Sequence, residues 1–385
     1  MHILYLLNIS NPDRLSADSG WIFADLLAPA FVDAGASVTV AAPAAVGDER
    51  CGFYLTGVPE TKYRARFSSD LDELVELIRE ERPDVVVANQ IEEAAALRIA
   101  LMEAGSNALL AGYCHYLPFS FTADGQLLLD PAMNDAGMGR PVLLAFAAGL
   151  AACDRVLVHS GVAASWVSAA AARMTVNLDD KLRVVPAPRD ERLVRDPAHT
   201  KPEYSAGSIG VYNHRLYAHY GTEQFVDLAR QLAASGTVRL RVMDLFGPRR
   251  AGRKNLDDSP ERMRDQLAAL PHVQLVSDRG DRLRYKNLLA GARFGIAPFR
   301  PGCPWSMSVV DCQGMGLPVI APRLGWFAEH IDPDLCFTTA AEAVALAERL
   351  ADDDEFHSLH AERAYASTAD FTPALVAARY LEALS

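Results

Sequence analysis

Residues 298–323 read PFRPGCPWSMSVVDCQGMGLPVIAPR and contain the boundaries of three secondary-structure elements. The stretch predicts a strand that ends near Pro298, a turn rich in glycine and proline, and a helix that begins near Ser306, where Ser306 or Ser308 can cap it. Gly316 ends this helix, and the apolar residues that follow predict the next strand. A strand, a helix and a strand in this order form the repeating unit of a parallel sheet.

Short apolar strands and longer helical patterns alternate along most of the chain. The predicted strands cover 2–7, 37–41, 84–88, 108–112, 155–159, 208–213, 238–246, 273–276, 294–298 and 318–321. The predicted helices cover 20–34, 70–81, 91–103, 141–152, 162–172, 222–234, 260–270, 283–290, 306–315 and 340–351. Strands that are apolar throughout and separated by helices are typical of a parallel sheet covered on both faces. We therefore predict an α/β fold with two doubly wound, Rossmann-like domains.

The alternation is interrupted at 191–207, where charged residues and two prolines replace the apolar pattern. This composition is typical of a linker. It divides the chain into an N-terminal domain of residues 1–190 and a C-terminal domain of residues 208–370, followed by a last helical segment over 371–385. Ligands of open parallel sheets bind at the carboxyl ends of the strands, so each domain is expected to present one set of binding loops.

Composition limits the classes of function. The 385 residues include 37 basic and 49 acidic side chains, and the resulting net charge of -12 is unfavourable for binding along nucleic acid. The six cysteines show no CxxC spacing, so we expect no metal site and a reducing, cytoplasmic compartment. The longest apolar run, 141–153, is shorter than the roughly 18–20 residues that cross a bilayer, so we expect no integral membrane segment and no secretory signal.

The predicted start of the helix at 306–315 is the strongest candidate binding site. The first N–H groups of a helix are unpaired within it, and with the helix dipole they attract an anion such as a diphosphate. Asp311 lies about one and a half turns into this helix. Its carboxylate could accept hydrogen bonds from the neighbouring hydroxyl groups of a ribose.

The segment from Trp305 to Ala321 resembles the signature E-G-F-G-L-x-x-x-E-A-M-A-x-G-x-P-V-I-A of the retaining GT-B glycosyltransferases of family 4. The resemblance matches Asp311 to the second glutamate, which binds the ribose of the donor in that family. The first glutamate, which contacts the donor sugar, falls at Cys303. This position departs from the pattern, because a thiol is a weaker hydrogen-bond acceptor than a carboxylate.

A second match lies at 209–216, where IGVYNHRL resembles the strand ending in G-R-L that opens the C-terminal domain of the family. Arg215 corresponds to the diphosphate-binding arginine, and arginine forms paired hydrogen bonds with phosphate. The partner lysine of the family falls at Tyr220, which removes a positive charge. The side chains that could compensate for it are His214, His219 and Arg300.

The N-terminal domain carries matches of its own. The segment 112–115, GYCH, resembles the family strand that ends in a histidine, so the resemblance implies that His115 reaches the donor sugar. Ser19 and Gly20 lie in the first strand–helix loop, where the family has small glycines near donor and acceptor. The resemblance covers most of 1–340, is densest over 208–330, and implies that helix 371–385 returns to the N-terminal domain.

The stretch 119–140 shows no clear pattern and is predicted to be a long irregular loop. Loops of this length inside a domain are uncommon unless they are functional or disordered. We consider two interpretations, a lid on the acceptor side and a plain surface insertion. The acceptor-side candidates in this stretch are Asp124, Asp130 and Asp135.

The resemblance implies a glycosyltransferase that moves a sugar from a nucleotide diphospho-sugar, with UDP or GDP, to an acceptor. It implies retention of the anomeric configuration and neither a metal nor another cofactor. The predicted catalytic residues are Arg215, His115 and Asp311. The predicted donor-binding residues are Gly20, His214, Arg215, Cys303, Trp305, Ser306, Met307, Ser308 and Asp311.

Two alternatives remain at this point. The changes at Cys303 and Tyr220 favour a GT-B protein that binds a nucleotide or glycan, or acts as a scaffold, without turnover. The second alternative is a GT-B enzyme of altered reaction, such as an epimerase or a pseudo-glycosyl coupling enzyme. No general base is assigned; for an inverting reaction, an aspartate of 124–135 is the first candidate. The acceptor stays open between a small molecule, a glycan or lipid, and a modified nucleobase.

Overall fold

The computed structural model of the chain describes residues 1–9, 15, 18–45, 47–59, 61, 63–122, 124–195, 209–244, 258–300 and 302–385. The chain divides into two units. The N-terminal unit contains Met1–Pro188 together with Phe371–Ser385, and the C-terminal unit contains Arg189–Asp370. Of the predicted linker 191–207, residues 196–207 lie outside the described part of the chain.

The N-terminal unit contains nine described strands: β1 (His2–Leu6), β2 (Ser37–Ala42), β3 (Gly52–Leu55), β4 (Val85–Ala88), β5 (Leu109–Tyr113), β6 (Phe119–Phe121), β7 (Leu127–Leu129), β8 (Arg155–Val158) and β9 (Leu182–Val184). Seven of them form a parallel sheet in the order β3-β2-β1-β4-β5-β8-β9. The strand order reverses between β1 and β4. In doubly wound sheets the loops at such a reversal form the ligand site.

Helices cover this sheet because its central strands are apolar on both faces. The helices are α1 (Ser19–Asp33), α2 (Arg64–Phe67), α3 (Leu71–Glu81), α4 (Ala94–Ala104), α5 (Pro131–Asp135), α6 (Gly139–Ala152) and α7 (Gly161–Arg173). A 3-10 turn at Ile91–Glu93 follows β4 and leads into α4. Asp18 caps α1 by accepting hydrogen bonds from the backbone N–H groups of Gly20 and Trp21.

The stretch 119–140 is more regular than the sequence pattern predicts. Strands β6 and β7 pair antiparallel, with Phe119 opposite Leu129, and α5 and the start of α6 follow. Phe119 is buried and packs edge-on against Phe146, with ring centroids 5.2 Å apart. The prediction of an irregular loop is therefore wrong, because two three-residue strands are too short to give a clear alternation of apolar and polar residues.

The C-terminal unit is built on a second parallel sheet. Its strands are β10 (Ile209–Tyr212), β11 (Arg239–Met243), β12 (Val273–Val276), β13 (Phe294–Ile296), β14 (Val319–Pro322) and β15 (Cys336–Phe337), in the order β12-β11-β10-β13-β14-β15. The described helices are α8 (Thr222–Ser235), α9 (Ser259–Ala268), α10 (Arg282–Ala290), α11 (Met307–Gly314), α12 (Gly325–His330), α13 (Ala340–Asp352) and α14 (Asp354–Ala366). Both units are thus doubly wound α/β structures, as predicted.

The last helix, α15 (Pro373–Leu384), packs in the N-terminal unit, against α1. Tyr380 is fully buried there and contacts Phe31 edge-on, with centroids 5.2 Å apart. The same ring stacks on Tyr113 of β5, and Arg155 of β8 donates a hydrogen bond to the carbonyl of Ala383 at 3.2 Å. The final residues of the chain therefore complete the core of the unit that begins it.

The helices of the described part of the chain include none whose length and apolar content would let it cross a membrane.

Gly149 marks the closest contact between α6 and the turn at Ile91–Glu93. A methyl group on Gly149 would lie 1.8 Å from the carbonyl oxygen of Ile91. Because a backbone carbonyl cannot swing aside as a side-chain tip can, we expect Gly149→Ala to lower the free energy of unfolding by roughly 2–3 kcal/mol. Urea unfolding followed by circular dichroism measures the change. Ala148→Ser, on the exposed face of the same helix, is the control; equal stability of the two variants would contradict the close contact.

Candidate functional site

The start of α11 is fixed beside the end of β10 in the C-terminal unit. Asn213, directly after β10, donates hydrogen bonds from Nδ2 to the carbonyl oxygen of Ser308 at 3.0 Å and to Oη of Tyr285 at 2.8 Å. Ser306 caps the helix by accepting a hydrogen bond from the N–H of Val309, as the sequence predicts. The first N–H groups of α11 therefore lie near the carboxyl end of a central strand, where open parallel sheets bind ligands.

Arg215 follows Asn213 by two residues and is half-buried. It therefore lies in the same loop beyond β10 that anchors the start of α11. His214, between them, is buried, and burial lowers the pKa of its imidazole to about 3. His214 is consequently neutral at neutral pH and does not supply the positive charge that the sequence analysis considered for it.

Asp311 is held inside the C-terminal unit by two side chains, those of Arg282 and Tyr285. Nη2 of Arg282 lies 3.4 Å from both carboxylate oxygens, and Oη of Tyr285 donates a hydrogen bond to Oδ2 at 3.0 Å. Arg282 also binds Asp190 at 2.9 Å, so one guanidinium joins two carboxylates that are 1% and 3% exposed. Burial raises the pKa of Asp311 to about 6, although the charge of Arg282 opposes the rise. We call these residues the Asp190–Arg282–Asp311 network.

Cys303 is buried, and its Sγ contacts the carbonyl oxygen of Trp305 at 3.0 Å. Burial raises the pKa of the thiol to about 11, so it stays protonated at neutral pH. No carboxylate-like acceptor is present at this position. Trp305, Met307 and Ser308, the neighbouring predicted donor-binding residues, are half-buried.

The N-terminal unit brings its predicted site residues together at the carboxyl ends of β1 and β5. Nε2 of His115 lies 3.2 Å from Oγ of Ser19, the first residue of α1. Gly20 is packed so closely that an added methyl group would lie 3.1 Å from Nδ2 of Asn89. Burial lowers the pKa of His115 to about 4, so its ring is neutral at neutral pH.

The three acceptor-side candidates do not form one cluster of carboxylates. Asp124 lies in the turn between β6 and β7, where it accepts a hydrogen bond from Oγ1 of Thr122. Asp130 caps α5 and accepts a hydrogen bond from Oη of Tyr116, the residue that follows His115. Asp135 is exposed at the end of α5. Of these three, Asp130 alone is joined by a hydrogen bond to the end of β5.

The C-terminal unit also contains a group of potential metal ligands. It consists of Asp332, Asp334 and His360, whose ligand atoms lie within 4.8 Å of one another. Nη1 of Arg363 lies 3.0 Å from Asp332 and 3.6 Å from Asp334. Nδ1 of His360 also lies 3.1 Å from Asp332. The guanidinium of Arg363 thus already pairs with both carboxylates, so they suit an ion-pair network better than a metal centre.

Sequence reasoning missed Asp190 and Arg282, and it also missed Glu92 and Glu93 directly after β4. Charged residues in predicted loops are usually exposed, so Asp190 gave no signal of its burial. Glu92 and Glu93 did give a signal of function. They follow the apolar strand at 85–88 within five residues, and parallel sheets present functional side chains at the carboxyl ends of their strands.

No protein-family model matches the chain, and no curated protein matches it by sequence. Solved structures do match over its whole length. HepE from Anabaena, in complex with UDP-glucose, has 15% sequence identity and a TM-score of 0.71, covering 100% of this chain and 99% of HepE. Sucrose-phosphate synthase from Thermosynechococcus elongatus has 16% identity and a TM-score of 0.74, covering 99% of this chain and 98% of that enzyme.

The fold is GT-B. Trehalose-6-phosphate synthase OtsA shares it, with 11% identity and a TM-score of 0.72, covering 100% of this chain and 99% of OtsA. The GT-B fold supports several reactions, so it leaves the assignment to family 4 and the two-glutamate motif as predictions.

Proposed function

We propose that the protein is a glycosyltransferase that moves a sugar from a nucleotide diphospho-sugar to an acceptor. The observation that carries the proposal is the junction of β10 and α11, where Asn213 fixes the start of the helix and Arg215 follows in the same loop. The GT-B fold supports it, as does the similarity to HepE, whose structures contain UDP-glucose or UDP. We therefore propose UDP as the first nucleotide to test.

The chemistry assigned to the junction is stabilisation of the leaving group. The bond from the anomeric carbon to the diphosphate breaks, a bond to the acceptor oxygen forms, and the proton of the acceptor hydroxyl passes to the departing diphosphate. Negative charge builds on the departing diphosphate, and Arg215 with the first N–H groups of α11 would bind it. On the resemblance, Asp311 binds the ribose and His115 the donor sugar.

Three finer features belong to the same proposal. The diphosphate charge is assigned to Arg215 and backbone N–H groups, so the reaction is proposed to need no metal ion; turnover after dialysis against a chelator tests this. Retention of configuration rests on the resemblance, and the anomeric proton of the product reports it by NMR. A cytoplasmic location rests on six cysteines that are all free thiols.

Arg215→Met is expected to lower turnover by roughly 10²–10³-fold, because one charge-stabilising group on the leaving diphosphate is lost. Release of UDP from UDP-glucose in the presence of a pool of cell-derived acceptors measures it. The control is Arg230→Met, which removes an exposed arginine from α8 in the same unit. Equal turnover of the Arg215 variant and the control would contradict the proposed donor site.

The buried thiol of Cys303 favours a second candidate, a GT-B protein that binds a nucleotide without turnover. The two candidates differ in one measurement. Tight UDP binding with no UDP release, for any donor and acceptor pool, supports the second and contradicts the first. Mass spectrometry of the products separates transfer from an altered reaction such as epimerisation.

A further inference from the structure

A group of polar side chains meets beyond the carboxyl ends of β1 and β4 in the N-terminal unit and has no role in the proposed donor site. It consists of Asn8, Arg66, Gln90, Glu92 and Glu93, and we call it the strand-end cluster. Nδ2 of Asn8 donates to Oε1 of Glu93 at 2.5 Å, and Nε2 of Gln90 donates to the carbonyl oxygen of Asn8 at 3.5 Å. Nη1 of Arg66 lies 3.5 Å from Oε1 of Glu92. These contacts join α2, β1 and the turn after β4.

Glu92 and Glu93 are buried and the other members of the cluster are half-buried, yet several atoms of the cluster make no hydrogen bond. The side chains of Arg66 and Glu92 are 9% and 4% exposed. Within the described part of the chain, Nε of Arg66, Oε1 of Glu92 and Oε1 of Gln90 are buried without a hydrogen-bond partner. Native proteins rarely leave buried polar atoms in this state, because each one loses its contact with water and gains nothing in return.

The contacts of Arg66 show that the cluster is not a closed structural ion pair. A guanidinium paired with a carboxylate for stability usually approaches it to about 2.7–2.9 Å. Arg66 instead stays 3.5 Å from Glu92, places Nη1 3.6 Å from the sulfur of Met133, and lies over the ring of Tyr116. A thioether is a weak acceptor, so the donors of Arg66 are only partly used.

The unused atoms define the chemistry of a ligand that would complete them. They comprise one donor, on Arg66, and two acceptors, on Glu92 and Gln90. A hydroxyl group both donates and accepts, so neighbouring hydroxyls on one molecule can meet all three needs. Arg66 and Glu92 cancel each other in charge, and burial raises the pKa of Glu93 to about 8, which keeps it neutral at neutral pH. A neutral ligand therefore suits the cluster better than an anion.

We propose that the strand-end cluster binds the hydroxyl groups of a neutral, polyhydroxylated acceptor, a glycoside or polyol. This inference rests on the proposed transfer to an acceptor and adds the chemical class of that acceptor. Glu92 and Arg66 are the specificity-determining residues, because each holds an unused hydrogen-bonding atom on a side chain that is less than one-tenth exposed.

The test measures binding to the full chain by ligand-observed NMR. The probes are methyl α-D-glucopyranoside, methyl β-D-galactopyranoside and myo-inositol, with glucose 1-phosphate as the anionic comparison. At least one neutral probe should bind the unmodified protein more tightly than glucose 1-phosphate. Glu92→Gln keeps the shape and removes the charge, so the affinity for that probe should fall roughly tenfold or more. Glu103→Gln, an exposed glutamate of α4, should bind the probe as the unmodified protein does.

Other results would overturn the inference. The inference is wrong if no neutral probe binds, or if glucose 1-phosphate binds more tightly than every neutral probe. It is also wrong if Glu92→Gln and the unmodified protein bind the probe with equal affinity, which would mean that ordered water fills the cluster. If Glu92→Gln does not fold, the double variant Arg66→Met/Glu92→Met removes both charges, and retained probe binding in it overturns the inference.

The binding of UDP, measured separately on the same samples, distinguishes the two proposals. If the cluster variants lose probe binding and bind UDP as the unmodified protein does, the result supports both the glycosyltransferase and the acceptor site. Probe binding that depends on Glu92, in a chain that binds neither UDP nor GDP, supports a polyol site and contradicts the glycosyltransferase.

Discussion

Arg282→Met is expected to lower the free energy of unfolding by about 3–5 kcal/mol at neutral pH, because it removes the cation beside the buried charge of Asp311 and one of the two arginines that bind Asp190. Arg282 binds Asp190 at 2.9 Å and lies 3.4 Å from Asp311. Burial acts to raise the pKa of Asp190, but the hydrogen bond from Arg192 and the charge of Arg282 outweigh it and lower that pKa. Without Arg282 the carboxylate of Asp311 would stay in a poorly polarisable interior without its cation, while Asp190 would keep its hydrogen bonds with Arg192.

The pH dependence of this variant identifies the cause of its instability. Loss of Arg282 removes the charge that opposes the raised pKa of Asp311, so its folded-state pKa rises further above the value of the unfolded chain. The folded variant then binds more protons than its unfolded form, so its stability increases as the pH falls from neutral toward about 4. Urea unfolding across this range should show the deficit shrinking.

The matched control is Arg284→Met, an exposed arginine of the same helix, with an expected cost of no more than about 1 kcal/mol. Arg282→Met/Asp311→Asn should recover part of the loss, because it removes the buried charge of Asp311. A variant Arg282→Met that is as stable as the unmodified protein at every pH would show that water screens the network.

Glu93→Gln is expected to stabilise the protein above about pH 8 and to leave it unchanged near pH 5. Burial raises the pKa of Glu93 from 4.5 to about 8, with Asn8 and Arg66 opposing the rise and Glu92 adding to it. The unfolded chain loses this proton above about pH 4.5 and the folded chain keeps it until about pH 8. Stability contributed by this group therefore falls as the pH rises through that window, by up to about 5 kcal/mol.

Glutamine removes this dependence, because its amide has no proton to lose and its oxygen can still accept the hydrogen bond from Asn8. The measurement is urea unfolding of both proteins between about pH 5 and about pH 9. The difference in unfolding free energy should grow from about pH 5 to about pH 8 and then level off. Glu103→Gln serves as the control, and a difference that does not change with pH would show that Glu93 is ionised in the folded chain.

The sequence predicted the two doubly wound units because their strands are apolar throughout and their helices are long. Within 298–323 the prediction was close: Ser306 is the N-cap, and α11 covers Met307–Gly314. Strand β3 escaped prediction because it lies at the edge of its sheet with exposed side chains, including Phe53 and Leu55, and so lacks a buried apolar pattern. The hairpin of β6 and β7 escaped because its strands have three residues each.

Some parts of the candidate sites were predictable from the sequence and others were not, and the difference has a physical reason. Ser19 begins the helix that follows β1, and His115 lies two residues after the end of β5. The carboxyl ends of parallel strands share one edge of a sheet, so the topology places both residues at that edge, where they meet. The burial of Asp190 depends on Arg282, which lies 92 positions away, and no local pattern contains that information. A buried charge is recognisable only together with its partner, so networks formed across a fold need the structure.

The packing of α15 against α1 has a consequence for how the protein is made. The N-terminal unit, most of which precedes the C-terminal unit along the chain, takes Tyr380 into its core, beside Phe31 and Tyr113. A nascent chain that ends before residue 373 exposes this part of the core. The N-terminal unit therefore cannot complete its folding until residues 373–384 have been synthesised, and these residues follow the C-terminal unit along the chain.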